Sequence, residues 1–176
     1  MGHIASPPLP GIIGLLAFRP ESAKPLMALT EQLLRGPSPL TSTERELIAA
    51  AVSAENACRF CYGSHAGAAD ALAGVDDYVK NALAAPASLS AKMQALISIA
   101  RAVAKSGTAV SDALVKDARD AGATDIELHD AVLVAAAFCM FNRYVDGLGA
   151  ITPDDPMAYK MMGKQLADDG YLTAIG

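Results

Sequence analysis

The chain has 176 residues, 52% of them hydrophobic and 19% charged, with a formal net charge of −5. That length suits one domain with a sizeable core, and the acidic balance argues against nucleic acid or an anionic membrane surface as partner. The longest uninterrupted apolar run, Ala131 to Phe141, is too short to span a bilayer. An odd count of three cysteines fits a reducing compartment better than a disulfide scaffold, and the start of the chain lacks the pattern of a secretory signal. The expected location is the cytoplasm.

Residues 1–14 hold Pro7, Pro8, Pro10, Gly11 and Gly14, which disfavour regular structure. An extended arm is expected there, either laid over a neighbouring subunit or loose, with one domain occupying 15–176. His3 in this arm reads as exposed. Glu21 to Arg35 reads as a helix with Leu26, Leu29, Leu33 and Leu34 on one side, stopped by Gly36 and turned by Pro37 and Pro39. The next helix, from about Thr43 to Ala54, is apolar on nearly all sides, as a buried helix is. Glu46 sits on it, and a carboxylate in such surroundings needs a partner. Thr43-x-x-Glu46 has the form of a capping box, but Thr41-x-x-Glu44 offers the same box and leaves Glu46 available.

The stretch that follows concentrates the reactive side chains. Cys58, Cys61 and His65 fall within one narrow sector of a helix turning about 100° per residue. Their β-carbons would then be neighbours at roughly 5–6 Å, close enough for a disulfide with modest adjustment. Asn56 is the N-cap candidate, which would place Cys58 in a first turn whose dipole favours a thiolate. Glu46 could return across a helical hairpin to orient His65. A thiolate that attacks a peroxide O–O bond becomes a sulfenic acid, which a second cysteine condenses into a disulfide. Two other readings of the spacing stand beside this one: three ligands of a zinc site lacking its fourth, or small buried hydrophobes. Gly63 and Gly67 lie inside this helix, a local cost that close approach of another backbone would explain.

Further helices are expected over Asp76 to Ala84, Ser90 to Lys105, Ser111 to Ala121, Thr124 to Asp146 and Met157 to Asp168, and no strand pattern of useful length occurs. The class is all-α. Leu89-Ser90 with Leu96-Ile97 echoes Leu40-Thr41 with Leu47-Ile48 at an offset of forty-nine residues. That echo suggests an old duplication in which only the first copy holds the cysteines. On the long helix opened by the Thr124-x-x-Glu127 box, Cys139 reads as an inert core thiol and His129 as a surface or interface residue. Asn142 and Arg143 read as structural, hydrogen-bonded to nearby backbone or paired with an acid such as Asp146.

Glu46 followed by Cys58-x-x-Cys61-x-x-x-His65 resembles the active-site pattern of the alkyl hydroperoxide reductase D-like branch of the carboxymuconolactone decarboxylase superfamily. The segments Leu33 to Thr41 and Phe141 to Gly149 are similar to stretches of its peroxidase-related proteins, so the resemblance spans about Leu15 to Gly149. It implies an all-helical, single-domain, oligomeric fold, as trimers or hexamers, and reduction of a hydroperoxide by a cysteine pair. By the same carry-over Cys61 is the attacking thiol, Cys58 the more exposed resolving partner, and Glu46 with His65 the proton relay. No bound cofactor is implied, only an external dithiol donor of lipoyl or thioredoxin-like type. One departure is Phe60, which stands where the best-described members carry a histidine between the cysteines. Outside that reading lie a general thiol–disulfide oxidoreductase and a non-catalytic or metal-binding helical oligomer.

Overall fold

A computed structural model describes residues 2–175. Its elements are α1 (Ile12–Phe18), α2 (Pro20–Leu34), α3 (Ser42–Glu55), α4 (Arg59–Ala73), α5 (Tyr78–Ala84), α6 (Ala91–Lys105), α7 (Asp112–Asp120), α8 (Asp125–Gly147) and α9 (Pro156–Asp169). Short 3-10 turns cover Pro86–Ser88, Gly107–Ala109 and Leu172–Ile175, and no strand occurs among the described residues. Among the described residues no helix is long and apolar enough to cross a membrane.

The ends of these helices follow from side-chain chemistry. Thr41, Ser90, Ser111, Thr124 and Asp155 each accept a backbone N–H at the start of a helix, and such a cap contributes about 1 kcal/mol. Thr41 with Glu44 and Thr124 with Glu127 close complete capping boxes. Glu44 therefore caps α3, and Glu46 is free to point inward. The helices α3 and α6 open at Ser42 and Ala91, the same offset of forty-nine residues at which their caps and apolar positions echo each other.

Helix α3 is the centre of the core. Leu47, Ile48, Ala49, Ala50, Ala51 and Val52 are fully buried, which needs neighbours on every side. Helices α4, α6 and α8 supply them. Arg45, itself buried, ties the start of α3 to the end of α2 by donating from Nη1 to the carbonyls of Leu33 and Gly36, both at 2.9 Å. The α2–α3 corner is thereby held close beneath the site.

Helix α4 is clamped between α3 and α9. A β-carbon on Gly163 would lie 2.2 Å from the carbonyl carbon of Gly67, and one on Gly63 would lie 2.5 Å from the Tyr159 ring. Here the interior glycines of α4 are explained: α9 crosses at backbone contact.

At two places the chain departs from its sequence reading. Regular structure begins earlier, at Ile12, where Gly11 at φ 51° turns the chain into α1. The arm before it lies on its own chain, with His3 N–H donating to Leu148 O at 2.9 Å and Gly11 N–H to Ile151 O at 2.7 Å. Asn56 is the C-cap of α3 and not the N-cap of α4; Ala57 at φ 56° turns the corner, and Cys58 takes the N-cap position with extended dihedrals.

Candidate active site

Cys61 is the third residue of α4, inside the first turn, where backbone N–H groups lack intrahelical partners and the dipole favours an anion. Cys58 stands one step outside the helix. The two thiols hydrogen-bond each other and are free, not joined. Acceptance of the Cys58 hydrogen bond lowers the pKa of Cys61, with further help from His65 and Asn142, against burial and the charge of Asp146. The same bond, together with burial, pushes the Cys58 thiol up. Of the pair, Cys61 is the more readily ionised and Cys58 the less.

Exposure also distinguishes them, in the opposite sense to the sequence reading. Cys58 is 0% exposed and Cys61 is 4% exposed. Cys58 packs beneath Cys61 with Phe60 and Val145 and is the less accessible sulfur, because its N-cap position turns it toward α8 and not toward solvent.

Behind Cys61 lies a network centred on Glu46, which is fully buried. Its carboxylate accepts from His65 Nδ1 at 2.7 Å, from Arg35 Nη2 at 2.7 Å and from the Tyr171 hydroxyl at 2.6 Å. Burial opposes ionisation of Glu46, but His65, Arg35 and Tyr171 outweigh it and hold the carboxyl below its ordinary range. An ionised carboxylate only accepts, so Nδ1 of His65 carries the hydrogen and Nε2 is left as the proton acceptor. Phe138 meets the imidazole edge-on at 4.4 Å, and the Tyr171 ring stacks at 6.0 Å. The guanidinium of Arg35 lies over that same tyrosine, 5.2 Å from its centroid. Burial and the adjacent carboxylate push the Tyr171 hydroxyl well above its usual range, so it stays a donor.

The structure thus brings all four predicted residues, Glu46, Cys58, Cys61 and His65, to one place. It adds three that sequence reasoning missed. Arg35 lies in a segment read only as a helix end and turn. Tyr171 sits in a short tail past Gly170, and its own backbone N–H donates to Glu31 Oε2 at 2.7 Å. Asn142, read as structural, donates to Ser53 at 3.0 Å, accepts from Asn56 at 2.8 Å and also reaches Cys61. Its one signal was a carboxamide on the apolar side of a buried helix. Cys139 is half-buried with Asn56 Nδ2 at 3.7 Å, and Arg143 takes the backbone alternative, donating to the Cys139 carbonyl. His129 is exposed and sits beside Asp130. Among the described residues no three His, Cys, Asp or Glu side chains converge as metal ligands.

Cys61 and His65 share the wall of a cavity of ≈ 260 Å³. Helix α1 contributes Ile12 and Leu16, α2 contributes Met27, and the far side is Phe138, Phe141 and Tyr171. Phe60 lines it too. Its ring lies so close to Gly11 that a β-carbon there would be 2.2 Å away, which fixes the arm against the mouth of α4. The walls are mostly apolar, with Thr30, Ser64, Gln165 and Thr173 adding polar side chains beside the thiol and its partners.

The chain belongs to the Carboxymuconolactone decarboxylase family, whose model matches residues 20–77 and 69–153. The two matched stretches start forty-nine residues apart, the offset that relates α3 to α6. The fold is that of an uncharacterized peroxidase-related protein from Silicibacter sp. TM1040, at 25% identity and a TM-score of 0.76, over 86% of this chain and 78% of that one. It is also that of the alkylhydroperoxidase AhpD core of an uncharacterized peroxidase-related protein from Ralstonia eutropha JMP134, at 26% identity and 0.75, over 89% and 82%. No curated protein sequence matches the chain.

Proposed function

We propose that the protein is a thiol peroxidase that reduces organic hydroperoxides through Cys61 and Cys58. The observation that carries this reading is the buried Glu46–His65 pair, 2.7 Å apart, one helical turn behind a first-turn cysteine in a cavity wall. The Cys61 thiolate attacks one peroxide oxygen, the O–O bond breaks, and the alcohol leaves with a proton supplied through His65. Cys61 is then a sulfenic acid. The Cys58 sulfur attacks it, the S–S bond forms and water leaves. An external dithiol returns both thiols by exchange and is itself oxidised to a disulfide.

Glu46 holds the His65 tautomer and balances its charge when it takes a proton, and Arg35 and Tyr171 keep Glu46 ionised. The apolar walls, with Phe60 among them, favour a peroxide with a hydrocarbon tail over hydrogen peroxide. A slender dithiol such as a lipoyl group suits a cavity of this size better than a folded thioredoxin-like surface. That dithiol chemistry fits the reducing cytoplasm.

The test is a coupled peroxidase assay with cumene hydroperoxide and hydrogen peroxide, supplied in turn with lipoyl, thioredoxin-type and glutathione-type donors. Turnover with one dithiol donor, and one Cys58–Cys61 disulfide per chain after peroxide, is the expected result. Thiols that stay titratable after excess peroxide would overturn the reading, and reduction of protein disulfides without peroxide turnover would replace it with the general oxidoreductase.

A further inference from the structure

Beyond Met1, the methionines of the chain fall into three environments. Met140, Met157 and Met161 are exposed, at 43%, 57% and 69%. Met93 is buried in the main core and does not line the cavity. Met27 and Met162 stand in the cavity wall with Cys61. They differ in their neighbours. Met162 packs on the cluster of Cys58, Phe60, Cys61 and Val145, whereas Met27 belongs to a separate cluster with Leu16 and Ala23. Gly163, next to Met162, meets the backbone of Gly67, which seats this stretch of α9 directly on the cysteine helix.

We propose that Met162 is a second oxidation site of this cavity, modified by an organic hydroperoxide once Cys58 and Cys61 have been joined. The inference rests on the peroxidase reading of the same site. A thioether attacks the same O–O bond as a thiolate and is oxidised to a sulfoxide. The Met162 sulfur attacks the distal peroxide oxygen, and the S–O bond forms as the O–O bond breaks. The alcohol leaves with the proton that the hydroperoxide carried. Met162 gains one oxygen and gives up two electrons, which the peroxide accepts.

Two features direct the oxidant to this sulfur. The mostly apolar walls draw a hydrocarbon-tailed peroxide into the cavity, and a disulfide at Cys61 removes the thiolate that would consume it. Met162 is then the oxidisable sulfur packed on the spent pair. Its sulfoxide is polar where the thioether was apolar, and the new oxygen lies beside Phe60 and Val145, poor company for a polar group. The modified cavity holds apolar tails less well. Peroxide that persists after the dithiol donor is exhausted therefore lowers turnover through Met162.

The test treats the protein, without donor, with cumene hydroperoxide or hydrogen peroxide and maps each methionine by peptide mass spectrometry. The first equivalent of cumene hydroperoxide should give the Cys58–Cys61 disulfide and no sulfoxide. Excess should then oxidise Met162 severalfold faster than Met157 and Met161, against their greater exposure, and leave Met93 unchanged. Hydrogen peroxide should oxidise the exposed methionines first. Oxidation of Met157 and Met161 ahead of Met162 by cumene hydroperoxide would overturn the proposal, and so would the same order with both oxidants. A disulfide without a Met162 sulfoxide removes this inference alone, whereas thiols still titratable after excess peroxide remove the peroxidase reading beneath it. After excess peroxide and re-reduction with dithiothreitol, which restores the thiols and not the sulfoxide, Met162→Leu should retain a larger share of its own starting turnover than the wild type. Equal losses would show that the sulfoxide does not reach the site.

Discussion

Glu46 is met by residues from three separate parts of the chain, and under the proposed function the chemistry of Cys61 depends on that convergence. Cys61→Ser should abolish oxidation by peroxide, whereas Cys58→Ser should leave a sulfenic acid that a dimedone probe traps at Cys61. Glu46→Gln or His65→Gln should slow the attack by about 10²–10⁴-fold, the usual scale of lost acid–base help, read by single-turnover kinetics. The rate of Cys61 alkylation should rise with pH through a midpoint below the ordinary thiol range. Asn142→Ala should move that midpoint upward, because the variant removes a hydrogen bond that stabilises the thiolate. The four predicted residues were legible because their spacing is local, or because a carboxylate on an apolar helix demands a partner. Arg35 and Tyr171 were not. Arg35 supplies its contact from the very end of a helix whose apolar stripe says nothing about it, and Tyr171 reaches Glu46 across 125 positions from a tail with no periodicity of its own. The relative exposure of the cysteines was read in reverse, since helical spacing says nothing about which sulfur lies at the cap.

Most helices could be read from caps, glycine stops and apolar periodicity to within a few residues, because those signals act on neighbours in sequence. The exception is α1, whose two short turns are stabilised by packing on α2 and α8 and not by its own composition. The glycines of α4 announced a close approach without saying to what; the partner is α9. That contact yields a prediction at the level of the helix pair. Gly163→Ala forces a methyl into the backbone of Gly67 and should cost roughly 1–3 kcal/mol, as overpacking does. Urea denaturation measures it. Gly122→Ala, where φ is 91° but the space around is open, separates backbone strain from this collision.

At the scale of the whole molecule, stability and access to the cavity are coupled through the same buried charges. Glu46 is held below its ordinary carboxylate pKa, so its contribution is fully present above about pH 4.3 and fades as the pH falls through the lower folded value. Removing one partner of a buried pair costs about 3–5 kcal/mol. Glu46→Gln should therefore be less stable at neutral pH and should lose part of the acid-induced decline, measured by denaturant unfolding between neutrality and pH 3. Both ends of the described chain wall the cavity, α1 on one side and the Tyr171 segment on the other. A chain beginning after Phe18 should show alkylation of Cys61 accelerated about tenfold or more, on the order of the gain expected when a covering element is lost, with the spectrum of α3 to α8 retained.

The position of Tyr171 also sets a timetable. On the ribosome Glu46 is made 125 residues ahead of the hydroxyl that completes its network. At about 5–20 residues per second, that interval is roughly 6–25 s. Throughout it Cys58 and Cys61 are already present in the nascent chain, while the group that helps keep Glu46 ionised is not. The complete Glu46 network is therefore a property of a chain extended past Tyr171, and a chain stalled before that point carries the same two cysteines without it.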